Sequence, residues 1–280
     1  MNALEVTGLA VRRRRSWVLR DCSLAVPAGR VAALVGPNGA GKTTLMHAAV
    51  GLLAPARGGV TVYGQAAFVA QDKPLYETFT VAETLRFGRR TNDRWDEEAA
   101  RRRLDRLGIP LGGRVGRLSG GQRAQVALTL ALARLPDLLV LDEPLANLDP
   151  VARHDVMRSI MAEVAERGLT VLLSSHVVSD LEDTCDWLVV LNGGRLQVSG
   201  DIEDLLGGHS VLTGPAGASA AGCDVVGESR TGRQVSLLVR GGPPPDPRWN
   251  ARRPGLDELV MGYLRSPASA ALPAPAEVAG

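Results

Sequence analysis

The sequence predicts an α/β fold organised around a parallel β-sheet. Three short, continuous apolar runs have the length and composition of strands buried on both faces of a sheet: Val31–Val35, Leu138–Leu141 and Thr170–Leu173. Polar residues follow each run at once, with the sequences GPNGAGKTT, DEP and SSH. Because ligands bind outside the carboxyl ends of the strands in open parallel sheets, we expect these three strand ends to form one shared site.

The remaining segments of the main domain predict two smaller units beside that sheet. Leu4–Val11, Val18–Val26 and Val60–Val69 have the pattern of shorter, partly exposed strands, which favours an antiparallel β-subdomain. Residues 75–135 are predicted to be mainly helical and to form an inserted helical subdomain. We interpret the basic run Arg101–Arg103 as a solvated helix face, since acidic residues stand four positions before two of its members.

The character of the chain changes after about residue 208, where Gly, Ala and Pro become more frequent. Residues 1–208 are therefore predicted to be the main domain. Residues 209–265 are predicted to form a small C-terminal α+β module, with a strand at Gln234–Val239 and a helix at Leu256–Leu264. The low-complexity stretch 266–280 is predicted to be a disordered tail.

Length and composition narrow the class of protein. The 280 residues, 45% of them hydrophobic, suffice for one full α/β domain with a smaller appendage. The net charge of +2 is too small to indicate a nucleic-acid partner. Three scattered cysteines favour a reducing compartment over a disulfide framework or a zinc site. The sequence shows neither a signal-peptide pattern nor a run of about 18 apolar residues, so any membrane role is expected to come through a partner.

The sequence GPNGAGKT matches the phosphate-binding loop pattern G-x-x-x-x-G-K-[ST] and follows a predicted buried strand, as that motif requires. Glycines let backbone N–H groups turn towards phosphate oxygens, and the helix that follows offers its positive end. Lys42 is expected to reach the β- and γ-phosphates, and the Thr43 hydroxyl is expected to bind Mg²⁺. The predicted nucleotide-binding residues here are Gly36, Pro37, Asn38, Gly39, Ala40, Gly41, Lys42, Thr43 and Thr44.

The sequence LLVLDEP places two carboxylates directly after a buried strand. Asp142 suits Mg²⁺, usually through a water, and Glu143 suits a general base that polarises an attacking water. An ordinary polar turn would look the same in isolation. Beside a phosphate-binding loop at the same sheet edge, the pair is predicted to belong to the site.

The sequence LSGGQ precedes an amphipathic stretch and has the features of a helix start. Ser119 can cap the helix, and the two glycines leave its first N–H groups accessible, which makes a second anion-binding helix terminus. Capping alone explains these residues equally well. A second phosphate-binding terminus has a purpose only if it serves another nucleotide.

These motifs together resemble those of the ABC ATPases, over about residues 3–206. The resemblance implies a P-loop NTPase core and the hydrolysis of ATP to ADP and phosphate with Mg²⁺. It also implies a head-to-tail dimer, in which the signature of one subunit closes over the γ-phosphate held by the other. A homodimer is the simpler interpretation, because both half-sites have intact motifs. The signature residues are Ser119, Gly120, Gly121 and Gln122.

The same resemblance assigns further residues. Gln71, in FVAQDKPLY, corresponds to the glutamine that senses Mg²⁺ and the attacking water, and His176 to the histidine that contacts the γ-phosphate. With Lys42 and Glu143 they complete the predicted catalytic set. Asp149, in ANLDP, resembles the loop that connects the two ATP sites and also suits a helix cap before proline.

Adenine recognition departs from the family pattern, in which an aromatic side chain stacks on the base. By register, the corresponding position is Arg13, in the run Arg12–Arg15, and the nearest aromatic residue is Trp17. The run is otherwise read as a solvated loop. Either Arg13 or Trp17 is predicted to pack on adenine.

Among transporters, the sequences PLYETFTVAETLRFG and PGLDELVMGYLR resemble single-domain ATPases that serve small exporter permeases. The predicted function is an ATPase subunit that powers export through a separate permease, peripheral on the cytoplasmic face of the membrane. An importer ATPase is the alternative, and a non-transport ABC ATPase is a further one. The single phosphate loop and the lack of a heptad run between Gly41 and Ser119 disfavour ribosome- and DNA-directed members.

Overall fold

A six-stranded sheet lies at the centre of the protein in the computed structural model, which describes residues 1–178, 181–182, 184–242 and 246–265. Its strands, in spatial order, are β5 (Ala66–Val69), β6 (Leu138–Leu141), β7 (Thr170–Ser175), β3 (Val31–Val35), β8 (Trp187–Asn192) and β9 (Arg195–Asp201). The first five are parallel, and β9 returns antiparallel to β8. The three predicted buried strands are therefore adjacent, which confirms the parallel α/β core.

A second, three-stranded antiparallel sheet has the order β2-β1-β4. Its strands are β1 (Asn2–Arg13), β2 (Ser16–Pro27) and β4 (Arg57–Val62). The hairpin strands β1 and β2 are twelve residues each, longer than the sequence predicts, because β1 pairs with a strand on either side. The predicted strand region Val60–Val69 divides between β4 and β5, which are partly exposed, and β5 belongs to the central sheet.

Seven α-helices and one 3₁₀ turn occur among the described residues. The helices are α1 (Lys42–Ala49), α2 (Val81–Thr91), α3 (Glu97–Arg106), α4 (Gly120–Ala133), α5 (Pro150–Arg167), α6 (Ile202–Gly207) and α7 (Leu256–Arg265). Side chains alternate across the central sheet. On β3, Ala33 and the residues two positions away face the core shared with α4 and α5, whereas Ala32 and Leu34 face α1 and the β1–β2 hairpin. Segment 75–135 contains α2, α3 and α4, with its own small apolar core.

The prediction that Arg101–Arg103 is a solvated face is wrong for one residue. Arg101 and Arg102 are exposed and pair with acidic residues four positions earlier on α3, as expected. Arg103 is only 7% exposed, because α3 turns that side chain inward against α4 and α5. A run of three identical residues cannot indicate which one faces inward, since helix periodicity places consecutive residues on different faces.

A four-stranded sheet with α7 on one face makes up the described part of segment 209–265. Its strands are β10 (His209–Pro215), β11 (Asp224–Thr231), β12 (Gln234–Arg240) and β13 (Asn250–Arg252), in the order β11-β12-β10-β13. The sequence predicts only β12 and α7 here. The segment packs on the main domain, where Asn192 Nδ2 donates to the Leu264 carbonyl at 2.8 Å. The predicted disordered tail, 266–280, lies outside the described residues.

Among the described residues, none of the helices combines the length and the apolar character needed to cross a lipid bilayer.

Candidate functional site

Four adjacent strands of the central sheet end at one edge with polar residues. Gln71 follows β5, Asp142 and Glu143 follow β6, His176 follows β7, and the predicted phosphate-binding loop follows β3. The sequence predicts three of these strand ends. The fourth is found because β5 joins the sheet beside β6, and it brings Gln71 to the same edge.

The loop between β3 and α1 approaches its neighbours more closely than side chains allow. A Cβ at Gly36 would lie 2.1 Å from the Leu191 carbonyl oxygen. At Gly41 a Cβ would lie 2.6 Å from Leu19 Cδ2, and the backbone there has a φ of +106°. Both positions therefore require glycine. The backbone can curl tightly at the start of α1, which is the geometry that anion binding at a helix terminus needs.

Lys42 lies inside this loop. Its side chain is 6% exposed, and Nζ donates to the Gly36 carbonyl oxygen at 2.7 Å. Burial lowers the pKa of Lys42, and the nearby carboxylates of Glu143 and Asp142 oppose that shift. A compact ammonium thus lies between the loop and the carboxylates at the end of β6.

Glu143 is the centre of a small polar cluster. Its Oε2 accepts a hydrogen bond from Gln71 Nε2 at 3.2 Å, and its Oε1 lies 3.4 Å from His176 Nδ1. The side chain is 13% exposed. Its backbone has a φ of +44°, an unusual conformation for a residue with a side chain. Such strain is typical of functional sites, since the surrounding structure must hold it in place.

Ser174 bonds the carboxylate of Asp142 and the backbone of Glu143, and the sequence does not predict this role. Its hydroxyl donates to Asp142 Oδ1 at 2.8 Å and accepts from the Glu143 backbone N–H at 2.8 Å. Asp142 is 3% exposed, so this bond compensates part of the cost of burying a carboxylate. Ser174 is on β7, next to β6. The only signal in the sequence was its place in the polar segment SSH, directly after the apolar run Thr170–Leu173.

The predicted signature residues begin α4 with a capping box. Ser119 Oγ accepts from the Gln122 N–H at 3.2 Å, and Gln122 Oε1 accepts from the Ser119 N–H at 3.0 Å. The predicted cap at Asp149 has the same purpose for α5, where its carboxylate accepts from the N–H groups of Val151 and Ala152. The two helix starts are in contact, because a Cβ at Gly121 would lie 2.9 Å from Ala152 Cβ.

The two candidates for adenine contact lie on the β1–β2 hairpin. Trp17 is 37% exposed, and Leu19, two residues along β2, packs against Gly41 of the phosphate loop. The register shifts by one residue between them, because the consecutive residues Val11 and Arg12 pair with Leu19 and Trp17, so the Trp17 ring is on the face of the hairpin opposite Leu19 and the loop. Arg13 pairs with Ser16 at the turn, one step from the Arg12–Trp17 pair, and is therefore on the Leu19 side. The guanidinium groups of Arg12 and Arg57 lie over the indole, at 5.8 Å and 6.0 Å from its centroid.

Comparison with known proteins gives the same family from sequence and from structure. The model of the family described as ABC transporter matches residues 19–146. A Nod factor export ATP-binding protein I from Rhizobium johnstonii is 35% identical over 257 residues, which are 85% of this chain and 78% of the relative. Its counterpart from Cupriavidus pinatubonensis is 35% identical over 228 residues, 75% of this chain and 66% of that relative.

Among solved structures, an ATP-binding subunit of an ABC transporter superposes with a TM-score of 0.65 and 31% identity. The match covers 72% of this chain and 91% of the other. The sequence likeness and the superposed fold therefore identify the same kind of domain.

Proposed function

This chain belongs to the ABC transporter family of ATP-binding, ATP-hydrolysing subunits, and from that premise we propose that it powers export through a separate membrane permease. Its place would be the cytoplasmic face of the membrane, as a peripheral subunit. The observation that carries the proposal is a cluster of exposed aromatic side chains that begins five residues after Gln71 in the chain. The similarity to relatives named for Nod factor export supports the direction of transport.

The proposed ATP site takes Mg²⁺ through oxygen ligands only. The donor set of Thr43, Gln71 and Asp142 combines a hydroxyl, an amide and a carboxylate, which suits a hard cation. No group of three His, Cys, Asp or Glu side chains within the described ranges could hold a metal alone. This fits a cation that shares its coordination with substrate phosphates. When bound, Mg²⁺ would neutralise charge on the β- and γ-phosphates.

The remaining roles follow from the geometry around Glu143. Its carboxylate is the proposed base that accepts a proton from the attacking water. Gln71 Nε2 and His176 Nδ1, both within 3.4 Å of that carboxylate, orient it from opposite sides of the strand end. Lys42 provides positive charge to the phosphates from within the loop.

We propose that the functional unit is a head-to-tail homodimer. Ser119 and the N–H groups of Gly120 and Gly121 would bind the γ-phosphate held by the other subunit. The capping box supports this role, since it satisfies the Gln122 N–H and leaves the first two N–H groups of α4 for a ligand.

An exposed aromatic patch, Tyr76–Phe79–Phe87, provides the proposed docking surface for the permease. Tyr76 is 58% exposed and Phe87 46% exposed, with ring centroids 5.7 Å apart, and Phe79 lies 4.9 Å from Tyr76. Clustered exposed aromatic side chains are typical of protein interfaces.

The patch is also connected to both halves of the ATP site. Tyr76 is five residues from Gln71, and the neighbouring Glu77 pairs with Arg123, on α4 just after the signature, at 3.2 Å. A partner bound to the patch would therefore contact the segment that carries Gln71 and, through Glu77, the signature helix.

The docking surface is tested by co-purification of the chain with integral membrane proteins from the cells that produce it. Replacing Tyr76 and Phe87 together by alanine is expected to abolish co-purification, because buried aromatic anchors dominate interface energy. The ATPase activity of the isolated chain should not change. The control is Tyr63→Ala, which removes a 48% exposed tyrosine outside the patch. Equal co-purification of the double variant and the parent would refute this surface.

The direction of transport is tested in cells that produce only the Glu143→Gln variant. An exporter predicts that a compound accumulates inside these cells and is depleted from the medium, relative to cells with the parent protein. An importer predicts the reverse, so comparison of metabolites inside and outside the cells distinguishes the two without knowledge of the cargo.

A further inference from the structure

Arg103 is a buried cation that contacts two neighbouring helices. It belongs to α3, and Nε donates to Thr129 Oγ1 at 3.2 Å while Nη2 donates to Gln125 Oε1 at 3.2 Å, both on α4. Its Nη1 lies 3.5 Å from Glu163 Oε1 on α5. Burial lowers the pKa of Arg103, and Glu163 opposes that shift. The planar fork of a guanidinium group can hold these acceptors at once, which an ammonium cannot do in the same geometry.

The two helices that Arg103 joins carry functional segments at their starts. α4 begins with the signature, and α5 begins with the Asp149 loop. They touch at those starts through Gly121 and Ala152. The arginine cluster provides a second contact about 9 Å further along α4, at a rise of about 1.5 Å per residue. Two separated contacts fix both the distance between the helices and their relative tilt.

Apolar packing alone would leave that tilt less well determined. Hydrophobic contacts have no preferred direction, whereas a buried, hydrogen-bonded charge has few acceptable geometries. A buried ion pair adds little to stability compared with an apolar pair of similar volume, so its contribution here is to the geometry of the helices.

We propose that Arg103 is a positioning residue, which sets the orientation of the signature helix α4 relative to α5 through Gln125, Thr129 and Glu163. The inference rests on the proposed function, in which the signature closes over the nucleotide of a second subunit. Without Arg103, α4 would pivot about the Gly121–Ala152 contact, and Ser119 would no longer be aligned with the partner's nucleotide.

The test uses the full chain in a Glu143→Gln background and compares Arg103→Met, Glu163→Gln and the control Arg102→Met. Arg102 is exposed and pairs only with Glu98 on its own helix among the interactions described. Size-exclusion chromatography measures the ATP concentration for half-maximal dimerisation. We expect it to rise about tenfold for Arg103→Met, in the same direction for Glu163→Gln, and not for Arg102→Met.

A further measurement separates positioning from general stability and from the proposed function. Hydrogen exchange on the nucleotide-free chain should show faster exchange at residues 122–124, at the bonded start of α4, in Arg103→Met, at a temperature far below its Tm. Unchanged exchange there and unchanged dimerisation would overturn the inference, even if Tm falls. If the Glu143→Gln parent itself does not dimerise with ATP, the proposed dimer is wrong, while the exchange measurement still decides the role of Arg103.

Discussion

At the scale of single residues, the site depends on how each side chain is held rather than on which residues are present. Glu143 has a left-handed backbone, and its carboxylate contacts Gln71 and His176. The Ser174 hydroxyl accepts a hydrogen bond from the Glu143 backbone N–H and donates one to the carboxylate of the neighbouring Asp142. The carboxylate is thus oriented before any substrate arrives, which is the condition for efficient general-base catalysis.

Glu143→Gln should retain ATP binding and lower the rate of hydrolysis by at least about 100-fold, because an amide cannot accept the proton of the attacking water. The ATP-bound variant should accumulate as a dimer, since each nucleotide is proposed to be held by two subunits. Steady-state phosphate release and size-exclusion chromatography with ATP measure the two effects. Hydrolysis at the parent rate would show that Glu143 is not the base.

Arg13→Ala should weaken ATP binding several-fold, because stacking of the base on a guanidinium face contributes about 1–3 kcal/mol. The matched change, Trp17→Ala, should have little effect, since its side chain is on the face of the hairpin opposite Leu19 and the phosphate-binding loop. Equilibrium binding of a fluorescent ATP analogue measures both. A loss of affinity in Trp17→Ala with none in Arg13→Ala would reverse the assignment.

At the scale of secondary-structure elements, the proposed role of the signature depends on the place where α4 and α5 start. α4 and α5 approach so closely at Gly121 that no side chain fits without displacing Ala152. Each helix start is capped by its own residue, Ser119 or Asp149, so the segments are well defined locally. Their relative position, however, depends on tertiary contacts.

Gly121→Ala should push the start of α4 away from α5 and reduce hydrolysis, because the added Cβ would lie 2.9 Å from Ala152 Cβ. ATP affinity of the monomer should change little, since the phosphate-binding loop is elsewhere. Gly112→Ala is the control in the same subdomain, where a Cβ meets no atom within 4 Å. Equal ATPase rates in the two variants would contradict the proposed role of this contact.

At the scale of the whole molecule, the C-terminal module is joined to the main domain by a buried histidine. His209 is 6% exposed, and its Nδ1 donates to the Leu205 carbonyl at 2.7 Å. Its Nε2 lies 2.8 Å from the Tyr263 hydroxyl, which Arg240 also contacts. Burial lowers the pKa of His209, and Arg240 lowers it further while the Leu205 bond and Asp224 oppose the shift.

The stability of the protein should therefore fall as pH decreases below about 6.5, the ordinary pKa of histidine. In that range the unfolded chain binds a proton that the folded chain does not, and each unit of pKa difference is equivalent to about 1.4 kcal/mol. Between pH 8 and pH 5, the Tm measured by thermal unfolding should fall less for His209→Gln than for the parent. The control His154→Gln should show the same fall in Tm as the parent. An equal fall in Tm for His209→Gln and the parent would contradict the prediction.

The prediction of the fold from sequence was good where local signals agree. Apolar runs ending in polar motifs identified β3, β6 and β7 as parallel neighbours, and glycine spacing identified the loop before α1. The four strands of segment 209–252 were mostly missed, because glycine and polar residues interrupt their apolar runs and resemble loop sequence. Their pairing supplies the stability that local propensity lacks.

The sequence by itself determined the chemistry of this protein: the glycines, Lys42, Asp142 and Glu143 are specified by short motifs whose function depends on local backbone geometry. Only the tertiary structure decided which distant residues contact and position these groups. No local sequence signature marks the contacts of Ser174 with Asp142 and Glu143, of Arg12 with Trp17, or of Arg103 with α4 and α5. The physical reason is that burial and hydrogen-bond partners are properties of packed surfaces, which form only when segments far apart in the chain meet.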